Sequence, residues 1–361
     1  MFGTAGYHIK NLFKAYRNIF IPYIRNRISP GEFRPIVSYL YTDLSCNLDC
    51  HYCYSHGKRI PAMTMEVARD AVDWLVEKGC GVLAYMGGEP LLRKSFILEL
   101  TRYAAGKGMF VYLPTNGILL DESFVDSIGN AGVAAVNLAV DAVDGYEGLP
   151  KALNRIKPQF EYLVKQEKKY NYITFLNINI TRRNVRDVKE LTEIARRHGI
   201  ATDYHINEPP PIKYDAFRHD QDGDWITEEE FRDVDDLVDW LIARNRQGYN
   251  MVNSIEHLRL MKQFIRHELS PWACQAGKLT MVIRLDGSFA PCFEFYGSDR
   301  DWGSIYTGHK FDMDFLDKMK SRCSRHCLST CNYQTFHYSC SLHHSLQWVS
   351  KHAYNHFFGI S

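Results

Sequence analysis

The run Cys46-Asn47-Leu48-Asp49-Cys50-His51-Tyr52-Cys53 constrains this chain more than any other stretch. Its three cysteines, at C-x3-C-x2-C, follow directly on a β-like segment, Ser38-Tyr39-Leu40-Tyr41-Thr42-Asp43-Leu44. A loop this short turns three thiolates toward one point. A [4Fe-4S] cube usually takes four cysteines, so three thiolates satisfy three irons and leave the fourth open. A zinc site, or three unrelated core cysteines, is the plainer reading of the same spacing.

Composition narrows the choice. The chain has 361 residues, 45% hydrophobic and 24% charged, which fits a sizeable core and two domains. A net charge of +1 argues against general polyanion binding, and no nucleic-acid partner is expected. No run of about 18 apolar residues exists, so no transmembrane helix is expected. The N-terminus lacks the order of a secretory signal. Besides the first trio, Cys274, Cys292, Cys323, Cys327, Cys331 and Cys340 cluster late in the chain. Clustered cysteines in an unsecreted chain read as metal ligands in a reducing cytoplasm. Cys80 stands alone and reads as a small buried hydrophobe.

Residues 1–31 carry Lys10, Lys14, Arg17, Arg25 and Arg27 and no acidic side chain. Ile9, Leu12, Phe13, Tyr16 and Phe20 recur at helical spacing, and Pro22 is expected to interrupt the helix. Such a helix either packs on the body or makes peripheral membrane contact through residues 1–30, at the inner membrane face. From Ser38, strand-like runs alternate with helix-like ones, as in a parallel sheet. Strands are expected over Val82–Met86, Phe110–Leu113, Ala134–Val140, Tyr172–Thr181 and Thr202–Ile206. Thr64 reads as a helix N-cap, and Thr227 to Glu230 as a capping box. A loop from Asn207 to Gly223 leaves the strand end where ligands bind in parallel α/β folds. Three parts are expected: a basic amphipathic segment (1–37), an α/β core (38–270) and a cysteine-rich region with a C-terminal helix (271–361).

With Tyr52 in the aromatic slot, the cysteine run resembles the C-x3-C-x-aromatic-C motif of the radical S-adenosylmethionine (SAM) superfamily. Gly87-Gly88-Glu89-Pro90, after the second strand, resembles that family's GGE(P) motif. The resemblance covers roughly residues 38–340 and implies an α/β fold, a partial (β/α)6 barrel. It implies that Cys46, Cys50 and Cys53 hold a [4Fe-4S] cluster whose open iron is chelated by SAM. It assigns the methionine end of SAM to Gly87, Gly88 and Glu89, and adds Tyr52 to the cofactor-binding set. Thr115-Asn116-Gly117 resembles the family's TNG turn and brings in Asn116, although a plain turn explains it equally well. Asn137 to Asp141 resembles the "SLD" segment, with Ala139 where a serine is common. On the fifth strand Asn177, Asn179 and Thr181 share a face by the period of two. Asn179 and Thr181 are candidates for the SAM ribose or carboxylate.

Cys274 opens a strand-like stretch, Asp286-Gly287 signals a hairpin turn, and Cys292 closes it. A hairpin with a cysteine at each end brings two thiols together. This resembles the opening of the SPASM and twitch domains, extensions that hold auxiliary [4Fe-4S] clusters. Cys323, Cys327, Cys331 and Cys340 depart from the seven-cysteine SPASM pattern, because six thiolates cannot fill eight positions on two cubes. One auxiliary cluster is expected, on Cys274, Cys292 and two later cysteines. A second stays open, with His326, His337, His343 and His344 as further ligands.

The resemblance implies reductive cleavage of SAM to a 5′-deoxyadenosyl radical and hydrogen abstraction from a C–H bond, with flavodoxin or ferredoxin as electron donor. A peptide or protein substrate is favoured among SPASM-type relatives. A membrane-associated lipid or isoprenoid, or a sugar-like small molecule, is the alternative. A non-catalytic iron–sulfur or zinc scaffold is the reading from another class, and the Gly-Gly-Glu run speaks against it.

Overall fold

The computed structural model describes residues 10–11, 13–29, 31–53, 60–207 and 225–339. Cys340, His343, His344, the loop 208–224 and the tail that reads as a C-terminal helix lie outside them.

The strand-like runs pair into one sheet. β1 (Val37–Asp43), β2 (Val82–Gly87), β3 (Phe110–Thr115), β4 (Ala135–Ala139), β5 (Ile173–Ile180) and β6 (Ala201–Ile206) stand in sequential order, all parallel. β7 (Thr280–Ile283) joins in parallel on the free side of β1, and β8 (Phe289–Ala290) turns back antiparallel. The sheet therefore runs on beyond residue 270, with β7 and β8 built from the cysteine-rich region. The hydrophobic core also includes residues on both sides of that point.

Parallel strands in sequential order need a crossover of the same hand after each strand, which places the helices on one face. α1 (Ile21–Ile28) precedes the sheet; α2 (Met65–Glu77), α3 (Lys94–Gly106), α4 (Glu122–Asn130), α5 (Lys157–Tyr170) and α6 (Val185–His198) connect its strands. α7 (Phe231–Arg246), α8 (Ile255–Ile265), α9 (Met313–Cys323) and α10 (Thr330–Ser339) follow. Thr64 caps α2 through Val67 N, and the Thr227–Glu230 capping box leads into α7. Beneath the helices Leu83, Val111, Val136, Leu176 and Ile178 are fully buried. On the opposite face Met86, Tyr112, Asn177 and His205 keep part of their surface. This is the α/β partial barrel, aliphatic outside and polar inside.

The expected break at Pro22 does not occur. The chain stays helical from Tyr16 to Ile28, as a π turn over Tyr16–Phe20 and then α1, with Pro22 in the first turn of α1. Proline lacks the N–H for an i−4 bond, and a change of helix type at that point removes the demand for one. The helix packs across the N-terminal ends of the strands. Lys14 Nζ donates to Asn171 O (2.9 Å), and the Asn18 carbonyl stands 1.8 Å from where a Cβ on Gly81 would be.

Candidate active site

At the other end of the barrel, the loop after β1 must cross the end of β2 to reach Cys46. Gly88 N donates to Asp43 O and Glu89 N to Ser45 O, both at 2.9 Å. A Cβ on Gly87 would stand 1.8 Å from Asp43 O, and one on Gly88 1.9 Å from Ser45 O. Gly87 also has φ +123°. The close approach expected of a ligand is made here by the chain's own cysteine loop.

Glu89 is 2% exposed. Its carboxylate accepts from Leu91 N (3.0 Å), Thr115 Oγ1 (2.7 Å) and Asn116 N (2.8 Å). Asn116 Nδ2 donates to Asn47 Oδ1 at 2.8 Å. Glu89 and the Thr115–Gly117 turn thus brace the cysteine loop. Burial raises the Glu89 carboxyl, opposed by those donors. A carboxylate offers about four lone-pair sites, so one direction remains for an ammonium.

Asp141 follows β4. Its Oδ1 accepts from Asn179 N at 2.9 Å, and its Oδ2 accepts from the Tyr52 hydroxyl. Asn184 Nδ2 donates to Asp141 O and Asn179 O, both at 2.7 Å, and Asn184 Oδ1 accepts from Thr181 N at 2.8 Å. The fully buried Thr181 hydroxyl donates to Asn184 Oδ1 at 3.3 Å, so it serves this turn. Asn179 Nδ2 is buried without a hydrogen-bond partner.

Sequence reasoning missed Lys151. The segment after β4 folds back over the cysteine loop: His51 N donates to Gly148 O (2.9 Å), and Leu149 is buried against Cys50 and Tyr52. This sets Lys151 Nζ 2.7 Å from the Tyr52 hydroxyl, 5.1 Å from the ring centroid and 4.0 Å from Asp141 Oδ2. Burial opposes its charge, but Asp141 and then the three cysteines of the loop raise its pKa overall. Burial pushes the Cys50 thiol up to about 12, with Lys151 pulling the other way. Cys46 is raised by burial too. A lone lysine in a turn carries no motif; only the folded-back loop reveals it.

The late cysteines form a second group. The β7–β8 turn closes through Arg284 N to Ser288 O (2.8 Å), with Gly287 at φ +83°. Cys274 and Cys292 flank this hairpin, and Cys323 at the end of α9 joins them. Burial, then Glu294 and the other two thiols, push Cys292 well up. Burial and Cys274 push Cys323 up to about 11. Glu294, 8% exposed, is a carboxylate in this group that spacing did not reveal. Cys327 O accepts from Trp272 Nε1 (2.9 Å), and Cys331 O from the Tyr39 hydroxyl (3.4 Å). His326 N donates to Cys323 O, and His337 lies 3.4 Å from Glu256. Cys80 is a buried free thiol, pushed up to about 12 by burial.

Residues 44–207 match the family model described as the Radical SAM superfamily. The chain is 30% identical over 234 residues to an AdoMet-dependent heme synthase of Methanosarcina barkeri, covering 62% of this chain and 63% of that protein. The chain thus spans just under two thirds of that relative. Among solved structures, Streptococcus suis SuiB bound to precursor peptide SuiA superposes with a TM-score of 0.61 at 14% identity, over 82% of this chain and 69% of that one. Native anSMEcpe with bound AdoMet and Cp18Cys peptide gives 0.57 at 18% identity, over 90% and 97%. At such identities these two likenesses speak to the fold.

The family implies a [4Fe-4S] cluster and SAM. Among the described residues no three His, Cys, Asp or Glu side chains converge as a single-ion site. Cys46, Cys50 and Cys53 are nevertheless near enough to interact electrostatically with one another and with Lys151. That donor set suits a cube with separate irons. The remaining lone pair of Glu89 and the orphaned Asn179 Nδ2 fit polar groups of SAM.

Proposed function

The chain is a member of the radical SAM superfamily through its residues 44–207, and from that premise we propose that it reductively cleaves SAM and abstracts a hydrogen atom from a C–H bond of a peptide or protein. The observation that carries this reading is the Cys46–Cys53 loop seated on the ends of β1 and β2, braced by Glu89 through Asn116 and Asn47, with Lys151 Nζ 2.7 Å from the Tyr52 hydroxyl. When bound, the cluster and SAM supply one electron and a carbon radical. The chain's own part is positioning and exclusion of water. Cys46, Cys50 and Cys53 hold the cluster. Glu89, fixed by Thr115 and Asn116, presents its last lone pair to the SAM ammonium. Tyr52, Asp141 and Lys151 wall the opposite side, and Asn179 offers its amide from β5.

The inner face of the sheet supports a peptide over a substrate rich in phosphate or carboxylate groups. Its inward strand positions over β1–β6 carry Asp203 and no lysine or arginine. The peptides bound to SuiB and anSMEcpe lend the same support. In the cysteine-rich region Cys274, Cys292 and Cys323, with Glu294 beside them, are the proposed seat of one auxiliary cluster. Cys327, Cys331 and Cys340 remain for its fourth position or for a second cluster. The proposed setting is the cytoplasm, with flavodoxin or ferredoxin as donor. No helix among the described residues is long and apolar enough to cross a membrane.

The test is anaerobic. Reconstituted protein given dithionite and SAM is expected to form 5′-deoxyadenosine, and Cys50→Ala to abolish it. Undiminished formation by Cys50→Ala would contradict the reading.

A further inference from the structure

The inner face of the sheet holds a polar cluster that the cofactor site does not use. β6 supplies Asp203 and His205, β5 Asn177, β4 Asn137, β3 Tyr112 and β1 Tyr39. The register places them on one face: Asn177 pairs with Asp203, Ala139 with Asn177, and Tyr112 with Ala135, while Ala84 pairs with both Tyr39 and Tyr112. The hydroxyls of Tyr39 and Tyr112 both feel the Asp203 charge. Asn137 Nδ2 donates to the Tyr112 hydroxyl.

α10 brings Thr330 to the same place. Its hydroxyl donates to Tyr204 O at 3.3 Å and lies 3.0 Å from His205 Nδ1. His205 Nδ1 therefore donates to Thr330, which fixes the ring. The other ring nitrogen lies 2.8 Å from Asn177 Nδ2 and 3.2 Å from Asp203 Oδ2.

Two buried atoms here have no hydrogen-bond partner: Asp203 Oδ1 and Asn137 Oδ1. Their residues are 6% and 3% exposed. A buried polar group without a partner costs on the order of 1–3 kcal/mol, and more when charged. Folded proteins pair nearly all such groups with protein, water or a ligand, so both acceptors are open to a donor. The His205 side chain keeps 24% of its surface, so the cluster opens onto the barrel interior.

We propose that Asp203 anchors an N–H donor of the substrate inside the barrel, either the ammonium of a lysine-like side chain or a peptide amide. The inference rests on the peptide reading above and names the group that the barrel holds. His205, fixed by Thr330, stands with Nε2 3.2 Å from Asp203 Oδ2, while Asp203 Oδ1 is open to the incoming donor. Asn137 Oδ1 is a second acceptor. Two acceptors suit an N–H donor, whether an ammonium with several protons or an amide with one. An anion meets the Asp203 charge with no lysine or arginine on the inward positions to offset it.

The test uses the full reconstituted chain labelled with 13C-histidine, the His205 signal being assigned by its loss in His205→Gln. The probes are butylammonium, N-methylacetamide, acetate and glycerol. Butylammonium or N-methylacetamide is expected to shift the signal in a saturable way, and whichever acts more strongly identifies the source of the donor. Asp203→Asn keeps the volume and should weaken the response at least tenfold. Ala139→Leu leaves Asp203 in place, fills the inner face beside Asn177, and should weaken it likewise; it decides the matter if Asp203→Asn does not fold. A response unchanged in the folded variants, or equal with acetate or glycerol, would overturn the proposal. Absence of deoxyadenosine formation alongside an intact probe response would strike the SAM reading and leave the anchor standing. The reverse pair of results would strike the anchor alone.

Discussion

Lys151 shows how a single side chain can matter without any motif around it. Its ammonium touches the Tyr52 hydroxyl and bears on three thiols and on Glu89. A fixed cation beside a cluster favours the form carrying one more electron. Lys151→Met is therefore expected to lower the reduced fraction of the cluster at least tenfold at a fixed potential, while Lys151→Arg stays within a few-fold. Redox titration followed by electron paramagnetic resonance checks this. The cysteines were legible because the chemistry demands that residue type at that spacing. Lys151 was not, because its place depends on the loop after β4 folding back. The two glycines were legible as residues, but the partner in their close approach was not. Gly88→Ala forces a Cβ against Ser45 O, and thermal melting should show a loss of about 3 kcal/mol.

At the scale of elements, the six strands were readable to within one or two residues at their ends. Their outer faces must be aliphatic under helices, and that leaves runs in the sequence. The pairing of β7 with β1 joins residues far apart in the chain, and no local pattern marks it. The π turn before Pro22 escaped for a related reason, since periodicity reports apolar faces and not the type of turn. A contact of the same long-range kind holds α8 to the segment before α10. Fully buried His257 has Nε2 3.2 Å from Leu328 O, and Nδ1 3.2 Å from Asn253 Nδ2 and 3.3 Å from Gln334 Nε2. Nε2 therefore donates and Nδ1 accepts, which a neutral ring satisfies. Burial pulls its pKa down to about 3. The unfolded chain thus binds this proton first as pH falls, so the stabilisation is present above about 6.5 and is lost progressively toward 3. Urea unfolding should show this group costing about 2 kcal/mol at pH 5 relative to pH 7. His257→Gln should flatten that part of the profile.

At the scale of the whole molecule, the barrel has a chemical end and a closed end. The N-terminal helix covers the closed end and turns Phe13, Tyr16 and Ile28 outward at 63%, 44% and 76% exposure. Lys10, Arg17, Arg25 and Arg27 are exposed on the same helix. Such a surface suits an anionic bilayer. Flotation with anionic liposomes is expected for the intact chain and reduced at least several-fold by the pair Phe13→Ser and Ile28→Ser. Equal flotation would leave the helix with a packing role alone. The chemical end carries the central claim, that Cys46, Cys50 and Cys53 form the centre at which SAM is cleaved. The most direct measurement is deoxyadenosine formed per chain by anaerobically reconstituted protein, alongside its iron content. The intact chain should form it and hold about eight irons or more. A variant with all three cysteines changed to alanine should lose about four irons and all deoxyadenosine formation, while the later cysteines keep their metal. No deoxyadenosine from the intact chain under any reductant, or an undiminished yield from the triple variant, would contradict it.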